Sequence, residues 1–207
     1  MSAELERTYK SFTQWKEKSK QTEYTEETPL LNPDGTLNAK GWAKRNNFTY
    51  DRNLVKTGIM SRKEWDFYNI LVGDEMQILV SFANINVGGY VGAKLTNVKT
   101  GEVICDSIQY FLGANKHVPP AKGDVPNRYK DKIGKTEFDF NTKETERTLW
   151  YKGAYKGKPV EVNVTMDIPE GLENITTVFP FSEDNTKYFM TTKQMCMVCE
   201  GEFKYGD

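Results

Sequence analysis

The sequence is poor in the residues that build metal and redox centres. It holds one histidine, His117, and three cysteines, Cys105, Cys196 and Cys199, among 207 residues. That inventory cannot supply two Cys-x-x-Cys knuckles or a Cys2His2 zinc site. An odd number of thiols argues against a secreted, disulfide-stapled scaffold. No apolar run approaches the ~18–20 residues of a membrane helix. Met-Ser-Ala-Glu opens the chain without the apolar stretch of a signal peptide. An excess of either charge is also missing: 28 Lys+Arg against 29 Asp+Glu leave a net −1. A generally basic nucleic-acid binder is thereby excluded, short of a local patch. Absent too are a Gly-x-Ser-x-Gly elbow, a Walker loop and a His-Glu-x-x-His helix. The glycines near Gly88, Gly89 and Gly92 precede no helix that would hold a phosphate. The expectation is a soluble cytoplasmic protein with no nucleic-acid partner, no membrane span, no metal and no cofactor.

What is present is aromatic. Hydrophobic residues make up 38% and aromatic residues 13% of the chain, enough ring surface for a packed core. Residues 2–20 have a helical pattern, with Ser2 as cap, Glu4 and Glu6 in the first turn and Lys16, Lys18 and Lys20 in the last. Leu5, Tyr9, Phe12 and Trp15 form an apolar stripe that must dock on the rest of the chain or on a partner. Residues 21–28 read as a linker, so the expected division is 1–28, helix and linker, and 29–207, a β-rich domain.

From Pro29 on the period changes to two. Asn32-Pro33-Asp34-Gly35 is a turn signal, since proline presets φ and glycine accepts the positive φ that follows. Residues 76–87 are apolar on both faces, which suits a strand inside a sheet or barrel. Lys99-Thr100-Gly101-Glu102 and Lys156-Gly157-Lys158 mark hairpins. In the strand 159–168, Val160, Val162, Val164 and Met166 alternate with polar residues. Further strands are expected at 65–72, 135–140, 175–179, 188–192 and 195–203. Some ten short strands without intervening helices predict an antiparallel all-β barrel or sandwich, preceded by one N-terminal amphipathic helix. Residues 113–134, with Pro119, Pro120 and Pro126, read as a long loop of the kind that forms flaps.

Two constellations bear on chemistry. In Arg62-Lys63-Glu64-Trp65-Asp66-Phe67-Tyr68, strand alternation puts Glu64, Asp66 and Tyr68 on one face and Trp65, Phe67 and Asn69 on the other. A carboxyl and a phenol two residues apart among rings suit an acid and a hydrogen-bond donor lining a cavity; an ion pair of Asp66 at a rim is the competing reading. Asn84 and Asn86 interrupt the most apolar strand, either as a structural network or as pocket lining. The candidate ligand-binding residues are therefore Trp65, Asp66, Tyr68, Asn84 and Asn86, and the catalytic candidates Asp66 and Tyr68. His117 lacks a visible nucleophile or orienting carboxylate. Cys196 and Cys199, three apart on an expected strand, point to opposite faces and are not expected to pair.

The blocks from Pro29 to Leu37, Gly41-Trp42-Ala43-Lys44-Arg45, Lys63 to Tyr68, the Asn86–Gly92 region and Tyr188 to Gln194 with Gly201 resemble, in order, the bacterial family called domain of unknown function 2804. The likeness covers roughly residues 29–207. It implies an all-β cytoplasmic protein near the lipocalin-like group that includes carotenoid hydratases, and it carries over no catalytic residue. It also implies a longer protein with a second β-rich half, of which this chain would be the N-terminal portion. The alternative is a natural truncation whose last strand, 195–203, pairs its free edge with another chain.

Three functions follow as expectations. The first is lipocalin-like binding of a small, largely apolar molecule. The second is a hydratase or isomerase on the same fold with Asp66 as proton donor. The third is an interaction module that uses the N-terminal helix.

Overall fold

The structure, a computed structural model, describes residues 22–58, 61–113, 116–181 and 185–206. The expected helix over 2–20 lies outside the described residues. Among those described, the regular secondary structure is β-strand apart from one 3-10 turn, Arg52–Leu54. Short strands β1 (Thr28–Pro29), β2 (Gly41–Ala43) and β3 (Phe48–Thr49) come first. Long ones follow: β4 (Glu64–Val72), β5 (Met76–Asn84), β6 (Gly88–Asn97) and β7 (Val103–Leu112). Next come β8 (Asn127–Ile133), β9 (Thr136–Thr142), β10 (Glu146–Tyr155), β11 (Lys158–Asp167), β12 (Asn174–Pro180), β13 (Tyr188–Gln194) and β14 (Cys199–Tyr205). β4 to β7 form a four-stranded meander, and a five-stranded sheet runs in the order β14-β11-β10-β9-β8. β13-β12-β2 make a third sheet, and β1 and β3 pair in parallel.

No closed barrel forms among the described residues; the two large sheets face each other across one core. Strand alternation builds that core from both sides. Val80, Phe82 and Val91 come from the four-stranded sheet, and Phe138, Leu149 and Val162 from the five-stranded one. A buried polar bridge also spans the sheets: Tyr151 and Ser107 join their hydroxyls at 2.7 Å, and Ser107 donates to the Ala154 carbonyl at 3.0 Å. A second, smaller core of Leu30, Leu31, Leu37, Phe48 and Val178 lies under the three-stranded sheet.

Local signals account for most joints. Gly35 donates its N–H to the Asn32 carbonyl at 2.9 Å and has φ 83°, which closes the Asn32–Gly35 turn. Lys156 and Gly157, both at positive φ, make the two-residue turn between β10 and β11, whose twist matches the strands it joins. Gly89 admits the closest strand approach: a Cβ there would stand 2.0 Å from the Ala83 carbonyl oxygen.

Three expectations need correction. β8 lies inside the segment 113–134 that reads as a loop. Its sequence, Asn-Arg-Tyr-Lys-Asp-Lys-Ile, has only Tyr129 and Ile133 buried, because an edge strand needs one apolar face and profits from charge elsewhere. The last strand starts at Cys199 rather than Met195, since Cys196 takes φ 66° and breaks the extended run. Cys196 is exposed and Cys199 half-buried, both with free thiols. Finally, the remainder of the long loop is not a loose flap. Arg52 Nη2 binds the Pro119 carbonyl at 3.0 Å, Arg147 Nη2 the Gly123 carbonyl at 2.6 Å, and Asp124 accepts from Asn174 Nδ2 at 3.0 Å.

Candidate functional site

Pleating sends Glu64, Asp66, Tyr68 and Ile70 of β4 inward, and Trp65, Phe67, Asn69 and Leu71 outward. Trp65 therefore does not join Asp66; its ring packs on the outer surface, 5.8 Å from Phe189 of β13. Asp66 stands opposite Phe82 of β5. Above it passes the backbone of Gly123, where an added Cβ would sit 3.5 Å from Asp66 Oδ1.

The Asp66 carboxyl makes no hydrogen bond or ion pair among the described residues. Burial raises its pKa from the usual aspartate range, and the charge of Arg147 pulls the other way with less effect. Arg147 itself is buried and already committed. Its Nε donates to Thr142 Oγ1 at 3.0 Å, its Nη2 to Gly123 O, and its guanidinium lies 5.6 Å from the Tyr68 ring centre. Asp66 is half-buried and makes no ion pair among the described residues.

Rings enclose this group. Tyr68 meets Phe140 edge-on at 5.5 Å, and burial, then the Asp66 charge, raise its phenol so that it stays a donor. Phe82 meets Tyr129 edge-on at 5.0 Å, and Tyr129 meets Phe138 at 5.1 Å. The Tyr129 hydroxyl is buried and finds no hydrogen-bond partner of good geometry. Burial first, then the carboxylate of Asp131, keep that phenol protonated. Asp131 in turn lies 2.5 Å from His117 Nδ1. The orienting carboxylate of the single histidine thus exists, fourteen residues away on β8, a separation that no local motif reveals.

The two asparagines serve structure. Asn84 Nδ2 donates to the His117 carbonyl at 2.6 Å, and its Oδ1 accepts the Asn86 N–H at 2.8 Å. Asn86 adopts φ 73° beyond the end of β5 and accepts from Arg62 Nη2 at 3.0 Å. Beside them Glu64 closes the end of β4: Tyr50 donates to it at 2.7 Å and Arg52 Nε at 2.8 Å. Burial, then Glu64, push the Tyr188 phenol up to about 12. Most of this polar cluster is paired internally, with the buried Arg62 Nε left without a hydrogen bond. Among the described residues no group of three or more His, Cys, Asp or Glu could hold a metal ion, and no helix is long and apolar enough to cross a membrane.

Comparison with known families adds one result. The family model described as Domain of unknown function (DUF2804) matches residues 21–207. The chain belongs to this family. The match begins just before the first described strand and runs across all four sheets, so Asp66, Tyr68, Tyr129 and Arg147 all lie within the family domain. None of the curated proteins and none of the solved structures matches the chain.

A substitution at Asp66 separates burial from structure. Above the ordinary aspartate pKa of ~3.9 the unfolded chain ionises freely, while the folded chain must ionise a buried acid. Asp66 thus opposes folding more as pH rises through that window, until its raised folded pKa is passed. Asp66→Asn, neutral throughout, is expected to melt roughly 2–4 °C above the parent at pH 7.5, the shift of about 1 kcal/mol in a chain of this size. The difference should shrink towards zero at pH 4. Thermal melts by circular dichroism across this range provide the check.

Proposed function

We propose that the protein binds, in a lipocalin-like manner, one small and largely apolar molecule that ends in a hydroxyl or carbonyl group. The observation that carries this reading is the nearness of two polar groups without a hydrogen bond of good geometry, the half-buried Asp66 carboxyl and the buried Tyr129 hydroxyl, beside the rings of Phe82, Phe138 and Phe140. A buried polar group without a partner costs ~1–3 kcal/mol, and a ligand that supplies the partner recovers it. When protonated, Asp66 donates to an oxygen, and its raised pKa widens the pH range over which it does so; Tyr68 and Tyr129 offer phenols, and Phe82, Phe138 and Phe140 supply the apolar surround. Free thiols on Cys196 and Cys199 fit a reducing, cytoplasmic setting for this role.

The test is a thermal-shift screen of isoprenoid and fatty alcohols, ketones and acids, with native mass spectrometry of protein taken from its host. The reading predicts a hit that raises the melting temperature by several degrees, and by clearly less in Tyr129→Phe and Asp66→Asn. Equal shifts in parent and variants, or no bound species by either method, would overturn it.

The raised Asp66 pKa favours a second reading, acid-catalysed hydration or isomerisation of an alkene. Asp66 would transfer its proton to one alkene carbon, leaving a carbocation held against the rings. Water then bonds to the cation and returns a proton to the carboxylate; loss of a neighbouring proton instead gives the isomer. A product heavier by one water, formed by the parent and not by Asp66→Asn, distinguishes this from binding alone.

A further inference from the structure

His117, Asp131, Tyr129 and Asp66 form a line of titratable groups that crosses from one large sheet to the other. His117 Nδ1 lies 2.5 Å from Asp131 Oδ2, and both side chains are partly exposed. His117 is held from the four-stranded sheet: its ring meets Phe111 of β7 edge-on at 4.7 Å, and its carbonyl accepts from Asn84 Nδ2 of β5 at 2.6 Å. Asp131 belongs to β8 of the five-stranded sheet, where Lys132 donates its N–H to Asp131 Oδ1 at 2.7 Å.

Tyr129 precedes Asp131 by two residues on β8, so pleating puts both side chains on one face. Its ring meets Phe82 edge-on at 5.0 Å, and Phe82 stands opposite Asp66 in the register of β4 and β5. The buried Tyr129 hydroxyl therefore stands near two carboxyls, with a hydrogen bond of good geometry to neither. Burial first, then the charges of Asp131 and Asp66, keep its proton in place. Among the described residues, the other titratable groups that face this line are Arg147 of β10 and Tyr68 of β4, both beside Asp66. One proton and two acceptors make a switch, because an O–H dipole points at one carboxyl at a time.

We infer that Tyr129 is a two-position switch through which the charge of His117 acts on Asp66. A charged imidazole compensates Asp131 and leaves the Tyr129 proton to point at Asp66. Since Nδ1 faces Asp131, it is Nε2 that gives up its proton as pH rises. The uncompensated charge of Asp131 then draws the Tyr129 proton away, and the Asp66 carboxylate loses a favourable dipole. The consequence for binding rests on Asp66 and Tyr129 being the polar end of the ligand site: a ligand oxygen meets a differently aimed donor on either side of the His117 midpoint. A titration of the free protein tests the switch alone, whatever becomes of that reading.

His117 is the chain's single histidine, so in untagged protein its ring gives one resolved titration. Carbon-13 NMR of the Asp66 carboxyl should show, besides its own midpoint, a second inflection at the midpoint read from the His117 ring. His117→Gln keeps a donor for Asp131 without the charge. In that variant the second inflection should vanish and Asp66 become a roughly threefold weaker acid, the lower end of what one net hydrogen bond contributes. In the Tyr129→Phe background the same substitution should leave Asp66 unmoved, since the hydroxyl that carries the effect is gone. Should Tyr129→Phe fail to fold, the Cζ signal of Tyr129 decides: it should move at the His117 midpoint in the parent and stay still in His117→Gln. An Asp66 titration without the second inflection, or a stationary Tyr129 signal, overturns the inference. A His117→Gln shift that persists in Tyr129→Phe overturns it equally, because the charge then acts through space and not through the hydroxyl.

Discussion

Replacing Phe82 by alanine is expected to cost about 3–5 kcal/mol, the range for deleting a buried phenyl ring and leaving a cavity. Phe82 is fully buried, and its ring lies 5.0 Å from Tyr129, 5.7 Å from Phe111 and 5.7 Å from Phe138. It is the point at which β5, β7, β8 and β9 meet, so the hole it leaves has walls on both sheets and little freedom to collapse. At roughly 2–4 °C per kcal/mol, the melting temperature should fall by about 6–20 °C. Thermal and urea unfolding would measure it. A loss below about 1 kcal/mol would mean that the two sheets do not share the core described above.

The second large effect is expected at Arg147. Arg147→Met keeps much of the length of the side chain but strips hydrogen-bond donors from the Gly123 carbonyl and Thr142 Oγ1 in a buried setting. Hydrogen bonds from charged donors contribute about 1.5–3 kcal/mol each, so a destabilisation of about 3 kcal/mol and a melt lower by about 6–12 °C follow. Amides around Gly123 should also exchange faster, because Arg147 is the anchor that draws this backbone over Asp66. Asp66 meanwhile loses the one charge that lowers its pKa. In the Asp66→Asn background that part of the penalty vanishes, and the double variant should be less destabilised than the sum of the two predicts. A melt within 1 °C of the parent would show that the guanidinium has no role in holding the loop.

Much of the architecture was legible because it depends on local patterns. The strict alternation of Val160, Val162, Val164 and Met166 gave β11 its inner face, and all four are buried. Asn32-Pro33-Asp34-Gly35 and Lys156-Gly157 carry turn chemistry that acts over two to four residues. Alternation around Asp66 likewise placed Asp66 and Tyr68 together on one face and Trp65 on the other. What could not be read is non-local. Arg147 follows Glu144 and Glu146, and its burial is explained by distant partners, the Gly123 carbonyl and the Tyr68 ring, with Thr142 beside them. β8 hides behind its charges, and with it the Asp131 that faces His117. Closure of a sheet into a barrel depends on how two sheets meet at their edges. Strand periodicity holds no information on that, and of the expected barrel or sandwich it is the pair of facing sheets that forms among the described residues.

The central claim is that Asp66 is a half-buried acid without a hydrogen-bond partner beside the Gly123 segment. Carbon-13 NMR of aspartate-labelled protein, with the Asp66 signal assigned through Asp66→Asn, follows that carboxyl directly. The account predicts a midpoint clearly above the ordinary aspartate value of ~3.9, moving higher in Arg147→Met. A midpoint at or below that value would mean a carboxylate that is solvated or ion-paired, and would contradict the site described here.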